Sequence, residues 1–160
     1  MNVKLILSAL SLTKPCFSPL IAQNSDPYFE LHKQGQFSPW SRKIFDDCLT
    51  KPYFAYSLDL DNQPLGYYIG MRVLDEVTLM DIVVGAAHRG KGVGKSLLQH
   101  LMDHCNQHNI QQIWLEVRES NAAAIKLYDN AGFIVVEQRV NYYPSEKGKE
   151  DALIMCCYLG

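Results

Sequence analysis

Arg89-Gly90-Lys91-Gly92-Val93-Gly94-Lys95 joins an apolar run ending at Val84 to a segment whose apolar residues recur at Leu97, Leu98, Leu101, Met102 and Cys105. That recurrence is the i, i+3, i+4 signature of an amphipathic helix, so the passage reads as strand, loop, helix. Glycines let the backbone curl closely around an anion, and the following helix presents unpaired N–H groups at its positive end. Arg89, Lys91 and Lys95 add cations to the same spot in a chain that is otherwise slightly acidic. These residues suit a phosphate cradle; an ordinary glycine-rich turn with solvated charges would use them equally well. Two nucleotide-binding loops fail on spacing. Gly94-Lys95-Ser96 matches the tail of a P-loop, but the first glycine of that motif would have to stand where Arg89 is. A dinucleotide fingerprint requires G-x-G-x-x-G, and Gly90 to Gly94 gives G-x-G-x-G.

Outward from this loop, the strand that feeds it runs from Glu76 or Val77 to Val84. Before it, Tyr53 to Asp59 and Leu65 to Val73 are rich in aromatic and β-branched residues and flank the turn cluster Asp61-Asn62-Gln63-Pro64, which predicts a hairpin. Ser25-Asp26-Pro27 and Ser38-Pro39-Trp40 each predict the start of a short helix, the second reaching toward Cys48. Downstream, Ile113 to Val117 reads as a strand and Asn121 to Asn130 as a helix with Gly132 as its C-terminal cap. Phe133 to Val140 is a further strand, followed by a loop around Tyr143-Pro144 and a last strand from Asp151 to Tyr158. This order predicts an α/β (α+β) fold: a single mixed, mostly antiparallel sheet flanked by helices.

The chain has 160 residues, which predicts one domain over 1–160, with residues 1–24 an N-terminal extension plus a first strand. Hydrophobic residues make up 48% and charged residues 20%, enough apolar surface for a core. A net charge of −2 excludes the broad basic footprint of a nucleic-acid-binding protein. No apolar run reaches the ~18 residues of a membrane span. Leu5 to Leu12 faintly imitates a secretory signal, but Ser8 and Ser11 interrupt it and Lys14-Pro15 follow, so a strand or an extension is the expectation there. The five cysteines, Cys16, Cys48, Cys105, Cys156 and Cys157, are odd in number and show no C-x-x-C spacing. They argue against a disulfide framework or a zinc cage, and for a reducing compartment, the cytoplasm. Cys105 is expected to be a small buried hydrophobe. His100, His104 and His108 form an i, i+4, i+8 stripe without completing ligands, so a solvated helix flank is expected and no metal site.

The loop fits the pattern R/Q-x-x-G-x-G/A with Arg89, Gly92 and Gly94 in place. It resembles the acetyl-CoA pyrophosphate loop of the GNAT superfamily of N-acetyltransferases. Trp114-Leu115-Glu116-Val117-Arg118-Glu119-Ser120-Asn121 and the following Ala122 to Tyr128 resemble that superfamily's second cofactor motif, closed by Gly132-Phe133. Asn141-Tyr142-Tyr143-Pro144 and Glu150 to Met155 are similar to the bacterial ribosomal-protein alanine N-acetyltransferases of the RimI type, and Pro39-Trp40-Ser41 and Leu74 to Leu79 agree. The resemblance runs from about residue 38 to the C-terminus. Gly85-Ala86 stands where the family often has Asp-Pro, and Gly90 where it often has a basic residue.

The resemblance implies an enzyme that acetylates the N-terminal alanine of the small-subunit ribosomal protein numbered eighteen, in a ternary complex with acetyl-CoA and without a metal. By the same resemblance, the backbone of Ile82, Val83 and Val84, the loop from Arg89 through Gly90, Lys91, Gly92, Val93 and Gly94 to Lys95, and Asn121 hold the cofactor. Glu116 is then the general base and Tyr128 the general acid. Without the family context, Glu116 would be a strand-end carboxylate paired with Arg118, and Tyr128 a helix aromatic packed on the core. Trp40, Tyr142 and Tyr143 are candidate aromatics of the acceptor groove, and Asp75, Glu76 and Glu119 are expected to make it acidic. Competing functions are transfer to lysine side chains or small amines, and a non-catalytic acetyl-CoA-binding module.

Overall fold

The computed structural model describes residues 13–160, so the expectation made for Met1 to Leu12 lies outside the described residues. Seven strands form one sheet: β1 (Cys16–Pro19), β2 (Tyr53–Leu60), β3 (Gln63–Val73), β4 (Glu76–Val84), β5 (Gln112–Arg118), β6 (Ile134–Ser145) and β7 (Gly148–Tyr158). Their order is β1-β2-β3-β4-β5-β7-β6, and every neighbouring pair is antiparallel except β4 with β5. The mixed, mostly antiparallel sheet flanked by helices is therefore as the sequence predicts.

Period-two alternation sends successive residues of a strand to opposite faces. Tyr67, Ile69 and Val83 pack with Tyr28 of α1 (Asp26–Gly35) and Phe45 of α2 (Arg42–Asp47). Tyr68, Leu79, Leu115 and Val117 face the other way, against Leu97, Leu98 and Leu101 of α3 (Val93–Gln107) and Tyr128 of α4 (Ala122–Asn130). Leu97, Leu98, Leu101 and Cys105 of the α3 stripe are buried and Met102 partly so, each leucine contributing about 1.5–3 kcal/mol of burial free energy.

Several boundaries differ from the sequence expectation. The hairpin between β2 and β3 turns on Asp61 and Asn62 alone, both left-handed at φ 51° and 62°, while Gln63 and Pro64 belong to β3. Ser25 precedes α1 without a side-chain cap; its hydroxyl instead donates to the Ala22 carbonyl and accepts from Arg42. Helix α2 starts at Arg42, with the Ser41 hydroxyl accepting from the Ile44 N–H, and not at Ser38. Pro39 disfavours helical geometry at Ser38, and the N–H of Trp40 is committed elsewhere. Helix α3 begins at Val93, one turn before Leu97, the first residue of the apolar recurrence. β6 continues through Tyr143-Pro144, predicted as a loop, because β6 is an edge strand, where a proline's missing N–H is tolerated.

Of the histidine stripe only His108 is exposed as a solvated flank would be; His100 and His104 are partly buried. His100 stacks on Phe17 and meets the Tyr68 hydroxyl at 2.8 Å, and His104 stacks on Phe54. Burial, followed by the neighbouring His108, pushes His104 down to about 4. All five cysteines are free thiols, and burial pushes Cys105 up to about 12.

Candidate active site

β4 and β5 pair only from Glu76 with Gln112 to Leu79 with Leu115. At that point β4 carries a bulge: Gly70 pairs with Leu79 and Ile69 with Asp81, leaving Met80 unmatched. A bulge bends its strand and re-aims side chains. Here it turns β4 away from β5, and leaves the edge of β4 from Met80 to Val84 unpaired on the β5 side. A cavity of about 450 Å³ occupies the opening, lined on one side by Leu79, Met80, Asp81 and Ile82 and on the other by Leu115, Glu116, Val117 and Arg118.

The glycine loop sits at the far end of the free β4 edge. Gly90 and Gly92 have φ of 73° and 82°, and a Cβ on either would meet nothing within 4 Å, so backbone conformation and not space requires glycine there. A Cβ on Gly94 would lie 3.5 Å from Leu127 and 3.7 Å from Val84. The N-terminus of α3, the end of β4 and α4 therefore converge. Arg89 folds back, its Nε donating to the Val84 carbonyl at 3.4 Å. Lys95 borders a shallow depression with Phe17 and His100 on the outside of α3. Of the expected cofactor residues, Ile82 and Asn121 line the cavity, whereas Val83, Val84 and the loop Arg89 to Lys95 flank its β4 end. The free strand edge, the glycine turns and the helix N-terminus fit the amide arm and phosphates of a coenzyme A substrate.

Glu116 lies between Leu115 and Val117, which both face α3, so it points to the α1 face. Its partner is not Arg118: Arg139 of β6 donates from Nη1 to Glu116 Oε1 at 2.9 Å. Arg118 instead pairs with Glu150 at 2.8 Å, donates to the Pro144 carbonyl at 2.7 Å, and lies over the rings of Tyr143 and Phe37 at 4.5 and 5.9 Å. It thus ties the β6–β7 hairpin to the segment between α1 and α2, and together they wall the α1 side of the cavity. Asp151 sets the shape of β6 there, accepting from the Asn141 N–H at 2.9 Å and from Gln138 at 2.8 Å across an irregularity in the β6–β7 register. That irregularity brings both Tyr142 and Tyr143 to the cavity, where Trp40 joins them. The Tyr142 hydroxyl is raised above its ordinary value, first by hydrogen bonding to Glu116 and then by desolvation.

Tyr128 comes from the opposite face. Asn121 caps α4 by accepting from the Ala124 N–H at 3.2 Å, and the Tyr128 ring packs on Phe133 beneath the cavity. The side chain is 5% exposed, and desolvation pushes its phenol upward. The buried hydroxyls of Tyr28, Tyr67 and Tyr68 are all hydrogen-bonded within the protein. No such bond holds the Tyr128 hydroxyl among the described residues, which leaves it a free donor at the cavity wall.

The acidic residues differ from expectation. Asp75 and Glu76 stand at the start of β4, roughly 20 Å from Ile82 at about 3.3 Å per residue, and neither they nor Glu119 line the cavity. The carboxylates that do are Glu116 and Asp81. Asp81 is the residue sequence reading passed over. Its Oδ2 accepts from the Tyr67 hydroxyl at 2.6 Å and lies 2.8 Å from His32 Nδ1, and its Oδ1 accepts from Gln36 at 2.9 Å. The signal was available, since a lone carboxylate inside the apolar run Leu79 to Val84 must find partners when buried. Among the described residues, no group of three or more His, Cys, Asp or Glu could hold a metal ion, and no helix is long and apolar enough to cross a membrane.

Known proteins share this fold. The acetyltransferase (GNAT) family profile matches residues 16–133, reaching further toward the N-terminus than the motifs alone. The [ribosomal protein bS18]-alanine N-acetyltransferase of Escherichia coli K12 is 39% identical over 127 residues, 79% of this chain and 86% of that protein. Its counterpart in Haemophilus influenzae is 38% identical over 143 residues, 89% of this chain and 97% of that one. The crystal structure of the Escherichia coli ribosomal-protein-S18-alanine N-acetyltransferase superposes with a TM-score of 0.89 at 35% identity, covering 92% of this chain and 95% of that one. A GNAT family acetyltransferase from Elizabethkingia anophelis with acetyl-CoA bound shares the fold at a TM-score of 0.77 and 19% identity, covering 91% of this chain and 98% of that one. On its profile match and on the identity and coverage of these relatives, the chain belongs to the GNAT family of acetyltransferases.

Proposed function

We propose that this chain transfers the acetyl group of acetyl-CoA to the α-amine of a protein N-terminus, and that its acceptor is the N-terminal alanine of ribosomal protein bS18 in the cytoplasm. The observation that carries the reading is the approach of Glu116 and Tyr128 to one opening in the sheet from opposite faces, with the Tyr128 hydroxyl unpartnered among the described residues. The identity to two bS18-alanine N-acetyltransferases supplies the acceptor.

In this reading the thioester lies along the free edge of β4, whose backbone N–H groups polarise its carbonyl oxygen. The acceptor enters from the α1 face, between Trp40 and the Tyr142-Tyr143 pair. Glu116 takes a proton from the ammonium, directly or through water. A peptide α-amine, with a pKa near ~8, costs less to deprotonate than a lysine near ~10.4. The neutral nitrogen attacks the carbonyl carbon; a C–N bond forms, the C–S bond breaks, and the sulfur takes the Tyr128 proton. The second nitrogen proton and the proton held by Glu116 pass to solvent, solvent returns one proton to the Tyr128 phenolate, and one proton is released per turnover.

The test is release of free coenzyme A from acetyl-CoA with a peptide copying the start of bS18, beside an N-terminally blocked copy with the same lysines. Turnover of only the free-terminus peptide is expected. Turnover of the blocked copy would mean lysine acetylation, and silence on both would leave a small-amine acceptor or a non-catalytic module.

A further inference from the structure

His32, Asp81 and Tyr67 are 1%, 8% and 0% exposed, and the proton transfers set out above use none of them. Asp81 Oδ2 lies 2.8 Å from His32 Nδ1, and on the far side of the ring the backbone N–H of Trp40 donates to His32 Nε2 at 2.9 Å. A backbone N–H cannot accept, so Nε2 is the lone-pair nitrogen and Nδ1 carries the proton given to Asp81. Imidazole in this one tautomer bridges an acceptor and a donor it can satisfy only together. The bridge spans two functional elements. Asp81 is the residue beside the β4 bulge, within the free Met80 to Val84 edge, and Trp40 is the aromatic on the acceptor side. Gln36, at the other end of the same segment, donates to the second oxygen of Asp81, so the stretch from Gln36 to Trp40 is pinned at both ends to one carboxylate. The His32 ring also lies 4.9 Å from the Trp40 indole, centroid to centroid, which holds the side chain as well as the backbone.

We propose that His32 is a positioning residue for the acceptor: it clamps the segment Gln36 to Trp40 to the bulge of β4, and so fixes the distance between the acceptor's seat and the thioester. The clamp rests on the α-amine transferase reading only in taking that segment as the acceptor wall. It acts on the acceptor side: among the described residues no hydrogen bond of the network reaches the glycine loop or α4, and Asp81 reaches Tyr128 only through its charge, which the His32 variants leave in place.

Two substitutions separate the ends of the bridge. His32→Asn keeps a donor near the Nδ1 position for Asp81 but leaves the Trp40 N–H without its acceptor; His32→Gln keeps an acceptor near the Nε2 position. Loss of one buried hydrogen bond predicts that His32→Asn raises KM for a bS18-start peptide about tenfold, with KM for acetyl-CoA unchanged and His32→Gln recovering part of the loss. Equal peptide KM in wild type and His32→Asn, or a matching rise in KM for acetyl-CoA, would overturn the clamp. Exchange of the Trp40 amide hydrogen needs no acceptor. It is expected to be slow in the wild-type protein and in His32→Gln, and fast in His32→Asn. Rapid exchange in the wild type would overturn the clamp whatever the enzyme acetylates, whereas slow exchange in a protein that turns over no peptide would sink the acceptor reading and leave the clamp standing.

Discussion

Glu116→Gln lowers kcat/KM for a free-terminus peptide by about 100- to 10,000-fold, the range in which a positioned general base contributes. The substitution keeps the shape of the side chain and a carbonyl oxygen for Arg139, but removes the basic oxygen. Its structural cost is small, because the Glu116–Arg139 pair is only partly buried, with the two side chains 33% and 42% exposed. Ion pairs of that kind, screened by solvent, contribute little to stability. Wild-type Tm and binding of acetyl-CoA are therefore retained, and the loss reads as chemistry. A second signature follows from the amine. Without a base, only acceptor that is already neutral can react, so the activity of the variant climbs with pH up to ~8, the α-amine pKa, and narrows the gap to wild type. A variant with full activity at pH 7 would remove Glu116 from the mechanism.

Tyr128→Phe lowers kcat and kcat/KM together by about 100-fold, the mark of an interaction made only in the transition state. The ring contact with Phe133 survives and no protein hydrogen bond is lost, so Tm is unchanged. Burial raises the phenol, and an acid works only below its own pKa. The alkaline fall in wild-type kcat therefore lies above the ordinary phenol value of 10, and the fall disappears in Tyr128→Phe. A raised phenol is a reluctant donor to a solvated thiolate. In this reading the sulfur departs inside the same cavity, and loss of water raises the proton affinity of a thiolate there as core burial does for Cys105, pushed up to about 12. A fall in wild-type kcat centred well below pH 10 that Tyr128→Phe abolishes would contradict this account of the phenol.

The elements that the sequence made legible are those whose pattern is local. The stripe Leu97 to Cys105, the Asn121 cap three residues before the Ala124 N–H it binds, and the alternation of β5 are all set by neighbours within a turn or two. The opening between β4 and β5 was not legible, because it depends on a bulge at Met80 that no residue type there requires; resemblance supplied only the cofactor role of the Ile82 to Val84 backbone. The partner of Glu116 was missed because Arg139 lies 23 residues away across the β5–β7–β6 ladder, while Arg118 was the near neighbour in sequence. Asp75 and Glu76 were assigned to the groove on charge alone, and the length of β4 carries them outside it, to the opposite end of the strand. The histidine stripe misled in the same way. Polar residues at helical spacing suggest solvent, yet the aromatic face of β2 covers His100 and His104.

The central claim is that the opening beside β4 delivers a peptide α-amine to the acetyl group of acetyl-CoA. The most direct measurement is mass spectrometry of a peptide with alanine first and lysine internal, after incubation with the enzyme and acetyl-CoA, locating the added acetyl group by fragmentation. Acetyl on the alanine nitrogen with the lysine unmodified is the predicted result; acetyl predominantly on the lysine side chain would contradict it.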